Sequence, residues 1–196
     1  LLFEHKSRPD PTAALQMLRY VVRIYEQRQR NRQSLCCVIP LVFYHGLEPW
    51  NVARGVEELV EAPEALKRYV PRMPLVLFDL GRYSDDQLRG EALLRAQLLL
   101  LKYIMSRELP QQLPGIMQLL SELEDQPDGL ECVKSFLRYI SAGTDQVTED
   151  ELNQAVKLSF PSKGSTLMPT IAEKWVQEGI EKGIEKGIEK GIEKGI

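Results

Sequence analysis

Glu4 and Lys6 stand two residues apart in the apolar opening LLFEHKS. Side chains of an extended strand alternate between faces. The alternation puts Glu4 and Lys6 on one face with Leu2, and His5 on the other with Leu1 and Phe3. A carboxylate beside an ammonium is the pair of charges that metal-assisted phosphodiester hydrolysis needs. The carboxylate holds a hard divalent cation. The ammonium stabilises charge developing on phosphate. The bland alternative is an edge strand with an ordinary ion pair on a solvated face. Two further polar residues, Gln16 and Tyr20, are four apart and share one face of a helix. Gln16 interrupts the apolar run AALQMLRY. Stacked in this way, the two can contact a phosphate backbone or orient a carboxylate cluster. A packed tyrosine with a satisfied polar neighbour is the competing account.

The elements that must position these groups follow from pattern. Asp10 as N-cap and Pro11 at the first helical position open a helix. Leu15, Leu18, Val22 and Tyr25 mark its apolar face. Arg28, Arg30 and Arg32 suit its C-terminal end; they could contact phosphates, and a solvated helix end explains them equally well. The run LCCVIPLVFYHG reads as a strand buried on both faces, with Pro40 marking a bulge or an edge. A short helix over about Val52–Tyr69, broken near Pro63, comes next. PLVLFDLGRYS is a third strand. From Ser84 the chain reads as helical, with capping-box spacing at Ser84/Gln87 and again at Thr148/Glu151. Leu88, Leu94, Leu98, Leu101 and Ile104 form one long apolar face, ended by Pro110 and Pro114. Further helices are predicted over about Pro114–Glu124, Leu130–Ser141 and Thr148–Leu158. SFPSKGSTLMP is a linker by composition. The expected division is a core over 1–101, a helical region over 102–160, a linker over 161–170 and a helical tail over 171–196.

That tail repeats Gly-Ile-Glu-Lys every four residues. Each glycine costs about 1 kcal/mol in a helix relative to alanine. The isoleucine stripe winds slowly around the axis, because four residues exceed one turn. A lone tail helix is marginal, and self-association through the isoleucines would compensate.

The chain has 196 residues and a formal net charge of −3. Bulk charge therefore gives no argument for nucleic-acid binding, which would need a local basic patch. Three cysteines, two of them adjacent, form neither a disulfide framework nor zinc-ligand spacing. A reducing cytoplasm is the expected setting. No apolar run reaches the length of a membrane span. There is no phosphate-cradling glycine loop and no Ser/His/Asp arrangement. His45, at a strand end, is expected to be structural. Asp79, beside Gly81, is expected to cap a turn.

The order strand Glu-x-Lys, loop, helix Gln-x-x-x-Tyr resembles the active-site half of PD-(D/E)xK nucleases with a RecB-like QxxxY motif. The stretches LLFEHKSRPDPTAALQMLRYVVRIYE, IPLVFYHGLEPWN and LVLFDLGRYSDDQL resemble, more closely, the Rpn or YhgA-like family of recombination-promoting nucleases and transposases. The likeness covers roughly Leu1–Leu101. It implies a restriction-endonuclease-like α/β fold, with a mixed central sheet flanked by helices. It also implies a mobile-element or recombination setting and Mg²⁺-dependent cleavage of DNA. Glu4 would be the carboxylate and metal ligand, Lys6 the motif lysine, and Gln16 and Tyr20 the helix motif. The family's first metal-ligating Asp lies on a strand before Glu-x-Lys, and that strand is absent. Asp10 follows the lysine in a turn and is not expected to replace it. The chain opens without Met inside a strand and stops inside a repeat, so it reads as an N-terminally truncated piece with half a metal site, expected not to cleave DNA alone. The alternative function is an inactive nuclease-derived module that binds DNA or a protein.

Overall fold

A computed structural model describes residues 1–167, Pro169 and Ile184. Apart from Ile184, the expected tail over 171–196 lies outside the described residues. The chain forms two compact units, Leu1–Gln87 and Leu88–Ile196.

The first unit is α/β. Strand β1 (Leu2–Lys6) leads into helix α1 (Ala13–Arg30), which returns the chain to strand β2 (Pro40–Tyr44). Strand β3 (Val76–Asp79) completes a sheet of order β1-β2-β3, with both pairings parallel. A helical crossover is what joins parallel neighbours. The resemblance implies a mixed sheet; the three described strands are all parallel, and the antiparallel contact is an isolated bridge between Gly55 and Pro74.

Register decides which strand residues share a face. Glu4 pairs with Val42, which pairs in turn with Leu77, and Lys6 pairs with Tyr44, which pairs in turn with Asp79. Val42 and Tyr44 are fully buried and pack with Ala13, Ala14, Met17, Trp50, Val56 and Leu75. The charged face of β1 is therefore the one that α1 covers. The solvated-face alternative is reversed, because Phe3 and His5 are the exposed residues of β1. On that outer face Phe43 stacks on Phe78 with ring centroids 5.5 Å apart, and His5 stacks on the buried His45 at 4.6 Å.

Several local expectations shift. Helix α1 buries Ala13, Ala14, Met17 and Val21, while Leu15 and Val22 of the expected stripe are exposed. Two stripes at helical spacing compete in this sequence, and the one with two alanines allows close approach to the sheet. The N-cap position is Thr12, two residues after Asp10. Residues 34–39 precede β2 without strand pairing, and Pro40 opens it; a strand's first residue is a place where a missing N–H is tolerated. Leu41 and Phe43 are only half-buried, so β2 is sealed on one face rather than two. The helix expected at 52–69 is two short 3-10 segments, Val56–Glu58 and Glu64–Tyr69. Gly46 follows β2 where a Cβ would collide with the Tyr44 hydroxyl and the Ser7 carbonyl. Only glycine permits that close approach.

The second unit is helical: α2 (Ala92–Tyr103), α3 (Leu109–Ser121), α4 (Gly129–Gly143) and α5 (Glu149–Ser159). Ala96 and Leu100 form the buried stripe of α2, continued by Ile104 just past its end, whereas Leu94 is exposed. Helix α3 runs through both prolines that were expected to end helices. Pro110 stands in its first turn, where no intrahelical N–H partner is needed. Pro114 forfeits one backbone bond. The stretch expected as a linker is held down over its described part. Leu167 is fully buried in the helical core, and Lys163 Nζ donates to the Glu124 carbonyl at 2.9 Å. Among the described residues no helix is long and apolar enough to cross a membrane.

Candidate functional site

The parallel strand sets Glu4 and Lys6 on one face, and α1 lays Gln16 and Tyr20 over them. Gln16 is the hub. Its Nε2 donates to Glu4 Oε1 at 3.2 Å and to the Tyr20 hydroxyl at 2.7 Å. Its Oε1 accepts from Lys6 Nζ at 2.8 Å. A primary amide carries both donors and an acceptor, which is what linking a carboxylate, a hydroxyl and an ammonium requires. A glutamate there would repel Glu4, and a lysine would repel Lys6.

Lys6 Nζ also meets Asp10 Oδ2 at 2.8 Å and Glu4 Oε1 at 3.3 Å. Three acceptors thus face the three donors of the ammonium. Burial alone would lower the lysine pKa, but the hydrogen bonds to Asp10 and Glu4 outweigh it and raise it. The side chains of Lys6 and Glu4 keep 16% and 21% of their surface accessible, so a ligand can still reach them.

Asp10 is the residue that sequence reasoning set aside. Its Oδ1 accepts from the Thr12 backbone N–H at 2.8 Å and the Thr12 hydroxyl at 2.7 Å. Its Oδ2 holds Lys6. One carboxylate therefore ties the end of β1 to the start of α1. The Lys6 bond, followed by those from Thr12, pulls the Asp10 pKa down to about 2. Its spacing from Lys6 and its place before Pro-Thr were visible in the sequence, but its rotation toward the strand was not.

The other candidates lie elsewhere. Asp79 is buried and accepts from Arg82 Nε at 3.1 Å; it makes no capping bond. Tyr44 lies between the Lys6 and Asp79 positions in the sheet. Burial, then the charges of Asp79 and Glu48, raise its pKa. His45 is packed against His5, and its backbone N–H continues the ladder to the Lys6 carbonyl. Arg28 donates to the Ser34 carbonyl at 2.6 Å, and Arg30 pairs with Glu26.

The cation that the family resemblance implies is Mg²⁺. Magnesium is commonly held by one or two carboxylates, with waters and substrate phosphates completing the shell. Glu4 is the carboxylate of the strand pair that could hold such a cation, and Gln16 and Lys6 already contact its Oε1. Among the described residues no group of three His, Cys, Asp or Glu side chains gathers to hold a metal.

The chain is 27% identical over 180 residues to the recombination-promoting nuclease RpnD of Escherichia coli O157:H7, covering 89% of this chain and 66% of that protein. It is 27% identical over 184 residues to the recombination-promoting nuclease RpnA of Escherichia coli K12, covering 91% of this chain and 60% of the relative. RpnC of the same strain, also named a recombination-promoting nuclease, is 28% identical over 124 residues, covering 62% and 41%. The chain thus spans less than two thirds of the length of these relatives. No solved structure matches it. The family described as "Putative transposase, YhgA-like" matches residues 1–131, two thirds of the sequence. The chain belongs to the YhgA-like transposase family.

Proposed function

We propose that the chain carries part of the active site of a divalent-metal-dependent DNA endonuclease of the recombination-promoting type. The observation that supports this best is the hydrogen-bonded set Glu4, Lys6, Gln16 and Tyr20, built on one strand face and one helix face. A metal bound beside Glu4 would activate water and neutralise phosphate charge. Lys6, held charged by Asp10 and Glu4, would stabilise negative charge on the phosphate. Gln16 would fix the Glu4 and Lys6 rotamers, so that neither needs to reorganise during reaction. Tyr20, bonded to Gln16, would hold the amide in the rotamer that faces the strand. The DNA strand is the partner and Mg²⁺ the cofactor of this reading, in a soluble cytoplasmic protein.

A second reading, a nuclease-derived DNA-binding module without cleavage, is favoured by the absence of a three-ligand cluster among the described residues. The same observation argues that the 196-residue chain alone cleaves little. Plasmid nicking by a protein of the relatives' full length separates the readings. Under the endonuclease reading, Mg²⁺-dependent nicking falls by at least about a hundredfold on Glu4→Ala or Lys6→Ala. Far-ultraviolet circular dichroism stays unchanged. Cleavage at the wild-type rate by Glu4→Ala protein overturns the reading.

A further inference from the structure

Helix α1 carries a second set of charges beside the cluster. Arg19 and Arg23 are four apart and exposed. With Thr12, Leu15, Gln16 and Tyr20 they line an open groove of about 360 Å³. The groove therefore shares two walls with the proposed site, and no carboxylate lines it. Among the described residues neither arginine has an ion-pair partner. Three arginines elsewhere are engaged, Arg28 with the Ser34 carbonyl, Arg30 with Glu26 and Arg82 with Asp79; what sets Arg19 and Arg23 apart is that they line one groove with Gln16 and Tyr20. In a chain of net charge −3, two unpaired guanidinium groups along one groove form a local positive field aimed at an anion.

We propose that Arg19 and Arg23 grip successive phosphates of the DNA strand that runs from the Glu4–Lys6 cluster along α1. The inference rests on the nuclease reading above and adds the track on which the substrate lies. Four helical residues advance about 6 Å, a step comparable to that between neighbouring phosphates of one strand. Guanidinium is the group suited to bidentate phosphate contact. The track has a direction. Gln16 and Tyr20 adjoin the cluster, Arg19 comes next and Arg23 is farthest. The contacts are to phosphate alone, so they fix position and carry no sequence preference.

The test is DNA binding by the full 196-residue chain, followed by fluorescence anisotropy of a fluorescein-labelled 20-base-pair duplex across a salt series. EDTA is present, so no cleavage occurs. Loss of two phosphate contacts makes the slope of log affinity against log salt shallower by about 2. The expected result for Arg19→Gln/Arg23→Gln is that change, with affinity about tenfold weaker near 0.15 M salt. Arg19→Lys/Arg23→Lys keeps most of the slope. Arg30→Gln/Arg32→Gln removes the same charge from the last residue of α1 and the turn after it, and changes affinity less than twofold. Equal slopes for wild type and Arg19→Gln/Arg23→Gln overturn the phosphate track and leave the nuclease reading standing. Equal losses in the two glutamine pairs overturn it as well, because net charge then explains the binding. A wild-type chain that binds no duplex overturns the track, while the nicking assay judges the nuclease reading separately.

Discussion

The two units of this chain are stabilised in different ways. In the helical unit, nineteen buried apolar residues among those described form one cluster, against eight in the sheet unit. The sheet unit instead places ammonium, carboxylates, amide and phenol under its helix and leaves an aromatic face half open. Polar groups removed from water must be hydrogen-bonded to avoid a penalty; those of the Gln16 network are, while the buried Trp50 Nε1 of the same unit is not. Such a network adds little net stability. Its return is geometry: side chains that are already in place. The comparison teaches that in this protein the region with the larger core is not the region with the chemistry.

The largest stability effect should therefore fall in the helical unit. Leu137 is fully buried, and Leu137→Ala removes methyl groups that its neighbours cannot replace. The expected loss is about 2–5 kcal/mol, read from urea denaturation. Nuclease activity at a temperature where the variant stays folded should change little. A loss below about 1 kcal/mol would mean that the cluster relaxes around the gap, and would weaken the contrast.

Gln16→Leu reverses the pattern. It keeps the helix propensity and volume near those of Gln but breaks three bonds, leaving Glu4 and Tyr20 without the Nε2 donor. Stability should fall by about 1–3 kcal/mol, and cleavage by the full-length protein should fall by about a hundredfold. Activity retained together with wild-type stability would show that the hub is ornamental. Gln16→Glu should be worse than Gln16→Leu, since it adds a like charge beside Glu4.

The hub was partly legible. Glu4, Lys6, Gln16 and Tyr20 follow from two periodicities, two in a strand and 3.6 in a helix. Their convergence needed one more fact, which face of β1 the helix covers. Two signals hid it. Leu15, Leu18, Val22 and Tyr25 mimic a buried stripe, whereas the sheet is met by the small Ala13 and Ala14. The apolar residues Phe3 and Phe43 look like core but lie on the outer face. Asp10 was missed for a different reason: a turn residue's side-chain direction depends on φ and ψ, which type and spacing do not set. In the helical unit the Thr148–Glu151 cap was plain, because its chemistry is local. The buried Leu167 was not, because a polar flanking composition conceals one anchoring residue.

Asp10→Asn probes the smaller electrostatic part of the sheet unit. The native Asp10 pKa is held at about 2, below the ordinary carboxylate value, chiefly by Lys6. A depressed native pKa means that the unfolded chain takes up the proton first as pH falls. The stabilisation is complete above about pH 4 and is lost as pH falls through about 2. The Asp10 side chain is 28% exposed, so solvent screening limits the gain to about 1 kcal/mol. Asp10→Asn should cost that amount at pH 7 and flatten the stability curve between pH 4 and 2. An unchanged slope in that window would place the acid dependence in other carboxylates.

A comparably small effect is expected in the helical unit, at the reciprocal cap of α5. The backbone N–H of Glu151 donates to Thr148 Oγ1 at 3.3 Å, while the backbone N–H of Thr148 donates to Glu151 Oε2 at 2.8 Å. Two N–H groups at the start of α5 that lack helical partners are satisfied in this way. The Thr148 bonds hold the Glu151 pKa below its ordinary value. Thr148→Ala removes the hydroxyl acceptor, and a loss of about 1 kcal/mol follows. Thr148→Ser keeps the acceptor and should recover most of it. Because the native Glu151 carboxyl is more acidic than in the unfolded chain, its share of the cap is present at neutral pH and fades as the pH drops through the native pKa. The difference between Thr148→Ala and wild type should therefore shrink in acid. Urea midpoints at neutral pH and at about pH 3 read this directly. A constant difference would show that the threonine hydroxyl works without the glutamate, as a simple N-cap rather than a reciprocal one.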